Sequence, residues 1–304
     1  LQSITTAAQE STVATTFQRI GPDPKPFTPN TALILSLATA SFQGLVRLAS
    51  GGLVYGYSSS LDKSSSSSSS SYSVGGIGDY KYIESSPVIA TFPKPQQPLE
   101  LYEFESCPFC RKVREAVNIL DLDVLHYPCP RDGPTYRTKA KQLGGKAQFP
   151  YLVDPNTGVS MYESDDIINY LFKTYGPGEE AVPRLLKPGT LSTLTCGLAM
   201  LPRLLKGAKY VKRDQEVVEQ PLIYWGYEAS PFCKIVRERL VELEIPFMHI
   251  TVARGSPKRQ VMLDAQGVFQ APFLEDPNTG VAMFESAAIL NYLDMAYYRP
   301  WKQE

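Results

Sequence analysis

The stretch PYLVDPNTGVSMYESDDIINYL, residues 150–171, returns as PFLEDPNTGVAMFESAAILNYL, residues 272–293, with 15 of 22 positions identical. Upstream of each, ESCPFCRKVRE (105–115) and EASPFCKIVRE (228–238) agree at 7 of 11 positions. The offset is 123 residues in the first pair of blocks and 122 in the second, so the copies differ by one residue in the loop between them. Two separate blocks in the same order mark a duplication rather than a chance motif.

Each copy reads in the same order. A short apolar strand over 99–104 meets the Cys-Pro-Phe-Cys turn, after which Val113, Ala116, Val117 and Leu120 recur at helical spacing. DVLHYPC reads as a second strand and TYRTKAKQL as a polar helix. PYLVD and VSMYE are two strands around Asp154-Pro155-Asn156-Thr157-Gly158, whose Pro, Asn and Gly are hairpin-turn residues. Ser164 then caps a helix with Asp165 and Asp166 in its first turn and Ile167, Ile168 and Leu171 on its apolar face. The expected order is β-α-β-α-β-β-α.

A prelude precedes each copy. PNTALILSLATASFQGLVRLASG (29–51) and PGTLSTLTCGLAMLPRLLKGAK (188–209) both begin with Pro, read as apolar helix and acquire a basic residue near the end. Residues 31–46 are uncharged but short of the roughly 20 that span a bilayer. Packing on a domain is the first reading of 31–49, peripheral association with a membrane surface is the second, and a true span is the third. The expected organisation is a disordered segment over 1–30, an apolar helix over 31–57, a Ser-rich linker over 58–98, one α/β domain over 99–177, a helical connector over 178–220 and a second domain over 221–304. The tract YSSSLDKSSSSSSSSYS buries too little surface to fold by itself.

Apolar residues make up 43% of the 304 and charged residues 20%, so a sizeable core is within reach. The formal charge of −1 argues against nucleic acid, whose phosphates call for a basic face. Five unevenly spaced cysteines do not make a secreted disulfide framework, so a reducing compartment is expected.

C-x-x-C between a strand and a helix places Cys107 at the helix N-terminus, where free N–H groups and the helix dipole favour a thiolate. Cys110 lies one turn in, so Cys107 is the candidate nucleophile and Cys110 the resolving thiol. Zinc is an alternative, because His126 and Cys129 complete a C-x2-C-x15-H-x2-C spacing. His126 recurs as His249 while Cys129 becomes Val252, which favours strand packing over metal, and no metal is expected. A buried, inert pair is the third reading.

Both copies resemble the thioredoxin-fold N-terminal domain of glutathione S-transferases, and CPFC resembles dithiol glutaredoxins. The fold class this implies is α/β, two tandem thioredoxin-fold domains, each preceded by a helix. The resemblance implies glutathione as co-substrate. It further implies a loop proline, expected to be cis, preceded by a residue whose backbone pairs with the cysteinyl part of glutathione, and the matching positions are Phe149-Pro150 and Ala271-Pro272. A Glu-Ser pair opening the next helix holds its γ-glutamyl end, at Glu163-Ser164 and Glu285-Ser286. A helix N-terminus favours a ligand carboxylate, and a glutamate can pair with the ligand amine. Arg131 and Arg254, ending the second strand of each copy, are candidate partners for a glutathione carboxylate. Full transferases carry an all-helical domain after the thioredoxin fold, and here about 44 residues separate the copies.

The expectation is therefore a glutathione-dependent thiol-disulfide oxidoreductase acting on protein or small-molecule disulfides, with Cys107 attacking. A non-enzymatic binding or scaffold protein built on the two folds is the alternative, since a fold does not establish catalysis. A third reading gives Ser230 the transferase role of the plant classes it resembles, activating a bound glutathione thiol. A Ser/Thr-rich start, the serine tract and that plant-type SPF motif suit a chloroplast.

Overall fold

The computed structural model describes residues 17–25, 31–63, 72–212 and 218–298. In chain order the elements are β1 (Gln18–Arg19), α1 (Ile34–Val46), β2 (Ser58–Lys63), β3 (Gly75–Ile77) and β4 (Tyr80–Ser85). Copy one follows with β5 (Leu99–Glu103), α2 (Pro108–Ile119), β6 (Val124–Pro128), α3 (Tyr136–Gly144), β7 (Tyr151–Asp154), β8 (Val159–Met161) and α4 (Ser164–Tyr175). After α5 (Thr190–Met200), copy two repeats the pattern as β9 (Leu222–Gly226), α6 (Pro231–Glu242), β10 (Phe247–Thr251), α7 (Lys258–Gln266), β11 (Phe273–Asp276), β12 (Val281–Phe284) and α8 (Ser286–Tyr297). Both copies have the expected β-α-β-α-β-β-α order, and the chain is two tandem thioredoxin-like folds.

The two folds share one sheet of nine strands, in the order β1-β12-β11-β9-β10-β6-β5-β7-β8. They join where β6 and β10 pair antiparallel, with Leu125 opposite Met248 and His126 opposite Phe247. Leu125 and Met248 are equivalent positions in the repeat, so a local twofold passes between them and relates the copies. The junction removes an open edge from each half, which would otherwise invite pairing with other chains. Leu99, Val117, Leu152 and Phe172 centre the first core, and Leu222, Val236, Phe247 and Leu293 the second.

Under the sheet junction the helices α2 and α6 meet through charge. Arg114 contacts Glu103, Glu105 and Glu228, and its equivalent Arg237 contacts Glu105 and Glu228. The preludes close the network from above. Arg47, after α1, pairs with Glu115 at 2.5 Å, and Arg203, after α5, pairs with Glu238 at 2.5 Å. Arg47 also donates to Ser192 O and Thr195 Oγ1, while Arg203 donates to the equivalent Ser36 O and Thr39 Oγ1. The twofold thus relates the preludes as well as the domains. Burial pushes the Glu105 carboxyl up, but the surrounding Arg114, Arg237 and Lys234 hold it well below its ordinary range. Such buried pairs gain little net stability over apolar packing, yet a lost partner strands a charge.

Two glycines let this network close. Gly51 and Gly207 have φ of 77° and 73°, and a Cβ on Gly207 would lie 2.6 Å from Glu105 Cβ. Chain bearing any side chain cannot approach so closely.

The expected organisation changes in three places. Residues 17–25 of the expected disordered segment are ordered where described, with β1 extending the sheet alongside β12; residues 1–16 and 26–30 lie outside the described residues. The expected linker over 58–98 holds a three-stranded sheet, β2-β4-β3. Every residue of β2 is exposed, so backbone pairing with Tyr80–Ser85 rather than burial holds SSSLDK extended; residues 64–71 of the serine tract lie outside the described residues. The apolar helix over 31–57 is regular only over Ile34–Val46, because the chain turns into left-handed backbone at Leu48 and Ala49.

Candidate active site

In copy one, β5 delivers the chain to α2, whose first residue is Pro108, a ring preset for helix entry. Cys107 is the N-cap, with extended backbone, and its Sγ accepts the backbone N–H of Cys110 at 3.2 Å. Burial pushes the Cys107 thiol up, but hydrogen bonds from Cys110, through its thiol and its backbone N–H, outweigh that and bring it below its ordinary 9.0. Cys110 moves the other way: burial and the neighbouring Cys107 raise it well above 9.0. The two thiols are thus shifted in opposite directions, Cys107 toward the thiolate and Cys110 toward the thiol.

Opposite the sulfur, Phe149 O lies 4.0 Å from Cys107 Sγ, and the Phe149–Pro150 peptide is cis. The ring of Phe149 meets that of Phe104 edge-on, and the Arg137 guanidinium lies 4.9 Å from its centroid. Glu163 stands before α4 with φ of 63°, a conformation that costs about 1–3 kcal/mol and persists only where surroundings hold it. Its carboxylate is exposed and accepts Gln148 Nε2 at 2.5 Å. Ser164 is buried as the first residue of α4, with Glu163 rather than Ser164 in the cap position, and Arg131 is exposed three residues beyond β6 rather than ending it, in an isolated backbone bridge with Lys209. Cys107 itself keeps only 4% of its surface exposed, with Phe149 O facing its sulfur.

Copy two reproduces this frame with other occupants. Ser230 caps α6 and accepts Cys233 N at 3.3 Å, and Ala271–Pro272 is cis. Glu285 repeats the left-handed backbone, with φ of 69°, and accepts Gln270 Nε2 at 2.6 Å. The same Oε1 also accepts the backbone N–H of Lys25 at 2.9 Å. Arg254 is paired with Glu84 of β4, which also meets Arg259 at 3.3 Å. Tyr72 lies under Arg259 and edge-on to Phe269. Ser286 is buried at the start of α8. The N-terminal chain therefore reaches over the site of copy two, while among the described residues Gln148 and Glu163 of copy one are exposed.

The sites do not share a cleft. β5 is parallel to β6 and β9 to β10, while β6 and β10 run antiparallel, so Cys107 and Ser230 sit at opposite ends of the fused sheet.

The family described as glutathione S-transferase, N-terminal domain, matches residues 101–180 and again 225–301. The chain belongs to this family. No curated protein matches its sequence. Among solved structures it is similar to the Leishmania trimeric glutathione transferase TDR1, at 14% identity and a TM-score of 0.24, over 67% of this chain and 69% of that one. Membership of the glutathione S-transferase N-terminal domain family implies glutathione binding, the chemistry for which Phe149, Pro150, Glu163 and Ser164 were singled out.

The remaining candidates are structural. Cys129 is buried among Tyr102, Ala140 and Tyr151, and burial raises its thiol. His126 stacks on Phe247 with centroids 4.9 Å apart and faces Glu103. Among the described residues no group of three or more His, Cys, Asp or Glu is arranged to hold a metal ion. Sequence reasoning missed the Gln148–Glu163 and Gln270–Glu285 pairs and the equivalent arginines Arg137 and Arg259. Their signal was present: Gln stands two residues before the cis proline in both copies, and each arginine recurs at the same offset.

Proposed function

We propose that copy one of this glutathione S-transferase N-terminal domain protein carries out glutathione-dependent thiol-disulfide exchange, with Cys107 as nucleophile. The observation that supports this reading is the Cys107 sulfur itself, capping α2 with its thiol lowered and Phe149 O close by. The Cys107 thiolate attacks the glutathionyl sulfur of a mixed disulfide. The S–S bond breaks, the other sulfur leaves as a thiolate and takes a proton, and Cys107 becomes glutathionylated. A second glutathione thiolate then attacks that disulfide, giving oxidised glutathione and regenerating Cys107; glutathione supplies both electrons. Because the Cys110 thiol is held well above its ordinary value, free glutathione resolves the intermediate faster than Cys110 does. Phe149 offers backbone to the cysteinyl part of the tripeptide, and the start of α4 with Glu163 and Ser164 receives its γ-glutamyl end.

Copy two serves as the partner fold rather than a second centre. Ser230 caps its helix as Cys107 does, but Glu285 is engaged by Lys25 N–H and Arg254 by Glu84. The test is reduction of a glutathionylated peptide by purified protein with glutathione present. Activity that disappears in Cys107→Ser and survives in Ser230→Ala supports the proposal. Absence of activity in the wild type overturns it and leaves the scaffold reading.

A further inference from the structure

The preludes pack inward through one face and leave an apolar face outside. Along α1, Leu37, Ala40 and Gln43 are buried, whereas the outward stripe of Leu35, Phe42, Leu45 and Leu48 is exposed. The second prelude repeats this with Leu194, Leu198, Leu201 and Leu204. Leu45 and Leu201, and likewise Leu48 and Leu204, are equivalents under the local twofold. The axis passes between the preludes, and both are buried toward α2 and α6, so both stripes lie on one side of the molecule, away from the sheet.

Leu48 and Leu204 are the most telling of these residues. They are 77% and 87% exposed, and their φ values of 48° and 49° lie in the left-handed region, where asparagine, aspartate or glycine is more at ease. Leucine there is unfavourable for folding on both counts, and it stands at both equivalent positions.

Along the preludes themselves the charge has one sign, with exposed acids at Glu179 and Glu180 just before the second prelude and at Asp132, which faces Lys209 at 3.9 Å. Between 181 and 212 the chain has basic residues and no acidic one, and Arg184, Lys187, Lys206 and Lys212 are exposed; the stretch 31–61 has no acid either. Glu238 and Glu242, beneath the second prelude, are engaged by Arg203, Arg239 and the Gly207 N–H. No helix among the described residues is long and apolar enough to cross a membrane.

We propose that this two-prelude face docks the protein on an anionic lipid surface, with the leucine stripes entering the headgroup boundary and the lysines meeting lipid phosphates. An apolar face with a basic border is what binds such a surface without spanning it. A second copy of the chain fits less well, because a symmetric contact through this face would bring two basic borders together.

The test is flotation of the full chain with phosphatidylcholine vesicles, with and without phosphatidylglycerol. The expected result is binding only to phosphatidylglycerol vesicles, weakening as salt rises. Binding should fall at least about tenfold in the double variant Leu48→Asp/Leu204→Asp, as expected when two leucines no longer leave water. Aspartate tolerates the left-handed backbone, so this variant should keep the wild-type melting temperature. Lys187→Glu/Lys206→Glu should abolish the preference for phosphatidylglycerol while leaving the leucines in place. No vesicle binding by the folded wild type, or equal binding by the leucine variant, overturns the proposal. So does a dimer that the leucine variant dissociates without any vesicle binding.

Discussion

Cys107 and Ser230 cap equivalent helices with nearly the same geometry, accepting a backbone N–H at 3.2 and 3.3 Å. What separates the copies is the surroundings. The rim of copy one, with Gln148 and Glu163, faces solvent, while in copy two Lys25 N–H reaches Glu285 and Glu84 engages Arg254. After a duplication, the chain outside the repeats can close one copy while the other stays accessible. The closed copy still contributes half of the sheet and half of the buried charge network. A difference of one atom type at the cap therefore goes with a difference in what covers it.

The sharpest way to break this comparison is at the caps. Cys107→Ser should reduce deglutathionylation to background and Ser230→Ala should leave it unchanged, measured by release of glutathione from a labelled peptide. Equal losses in both variants would mean that the copies work together.

Next in size is the shared network. Arg114 contacts three acids and its equivalent Arg237 two, so Arg114→Met should cost about 3–5 kcal/mol and Arg237→Met less, read from denaturant unfolding. Identical costs would show that Glu103, which has no counterpart in copy two, adds nothing.

Gly207→Ala should destabilise by about 2 kcal/mol, through its left-handed backbone and the clash with Glu105. Gly51→Ala should cost less, since its closest side-chain contact is 3.0 Å.

Acid sensitivity gives a fourth comparison. Burial holds the His249 imidazole neutral and well below its ordinary 6.5. Only the unfolded chain takes up that proton, so stability is complete above pH 6.5 and falls below it by up to about 1.4 kcal/mol per pH unit. Glu105, held low by its arginines, adds a second loss below its ordinary 4.5. Melting temperature against pH should therefore drop in two stages, and His249→Gln should remove the first.

The smallest effect concerns the cover on copy two. Ile20 donates its N–H to Ala282 O at 2.9 Å, so Ile20→Pro should free β1 at a cost of about 1 kcal/mol, seen as faster hydrogen exchange along β12. In a Cys107→Ser background the freed copy two should gain glutathione binding; no gain would mean that Ser230 and Ala271 exclude the ligand by themselves.

Much of the fold was legible because the chain states it twice. The DPNTG hairpin, the CPFC and SPFC helix starts and the basic residue ending each prelude are all set by local chemistry that recurs in the same order in both halves. Residues whose partners lie far along the chain were not legible. Arg114 and Glu228 are 114 positions apart, and nothing in RKVRE distinguishes a buried charged face from a solvated one. The strand SSSLDK has no buried face, so no alternation marks it. Gln18–Arg19 is too short for any period, and its place is set by the free edge of β12. At the site, Phe149 O faces Cys107 Sγ across 4.0 Å and Glu163 is tied to the same loop through Gln148, whereas Arg254, expected as a carboxylate partner, is paired with Glu84 in copy two.

The central claim is that one thiol of five is prepared to react. The direct measurement is the rate of iodoacetamide alkylation of each cysteine against pH, resolved by peptide mass spectrometry. The account predicts that Cys107 is modified with an apparent pKa below 9.0, while Cys110, Cys129, Cys196 and Cys233 stay unmodified in the native protein. A Cys107 as inert as the other four would contradict it.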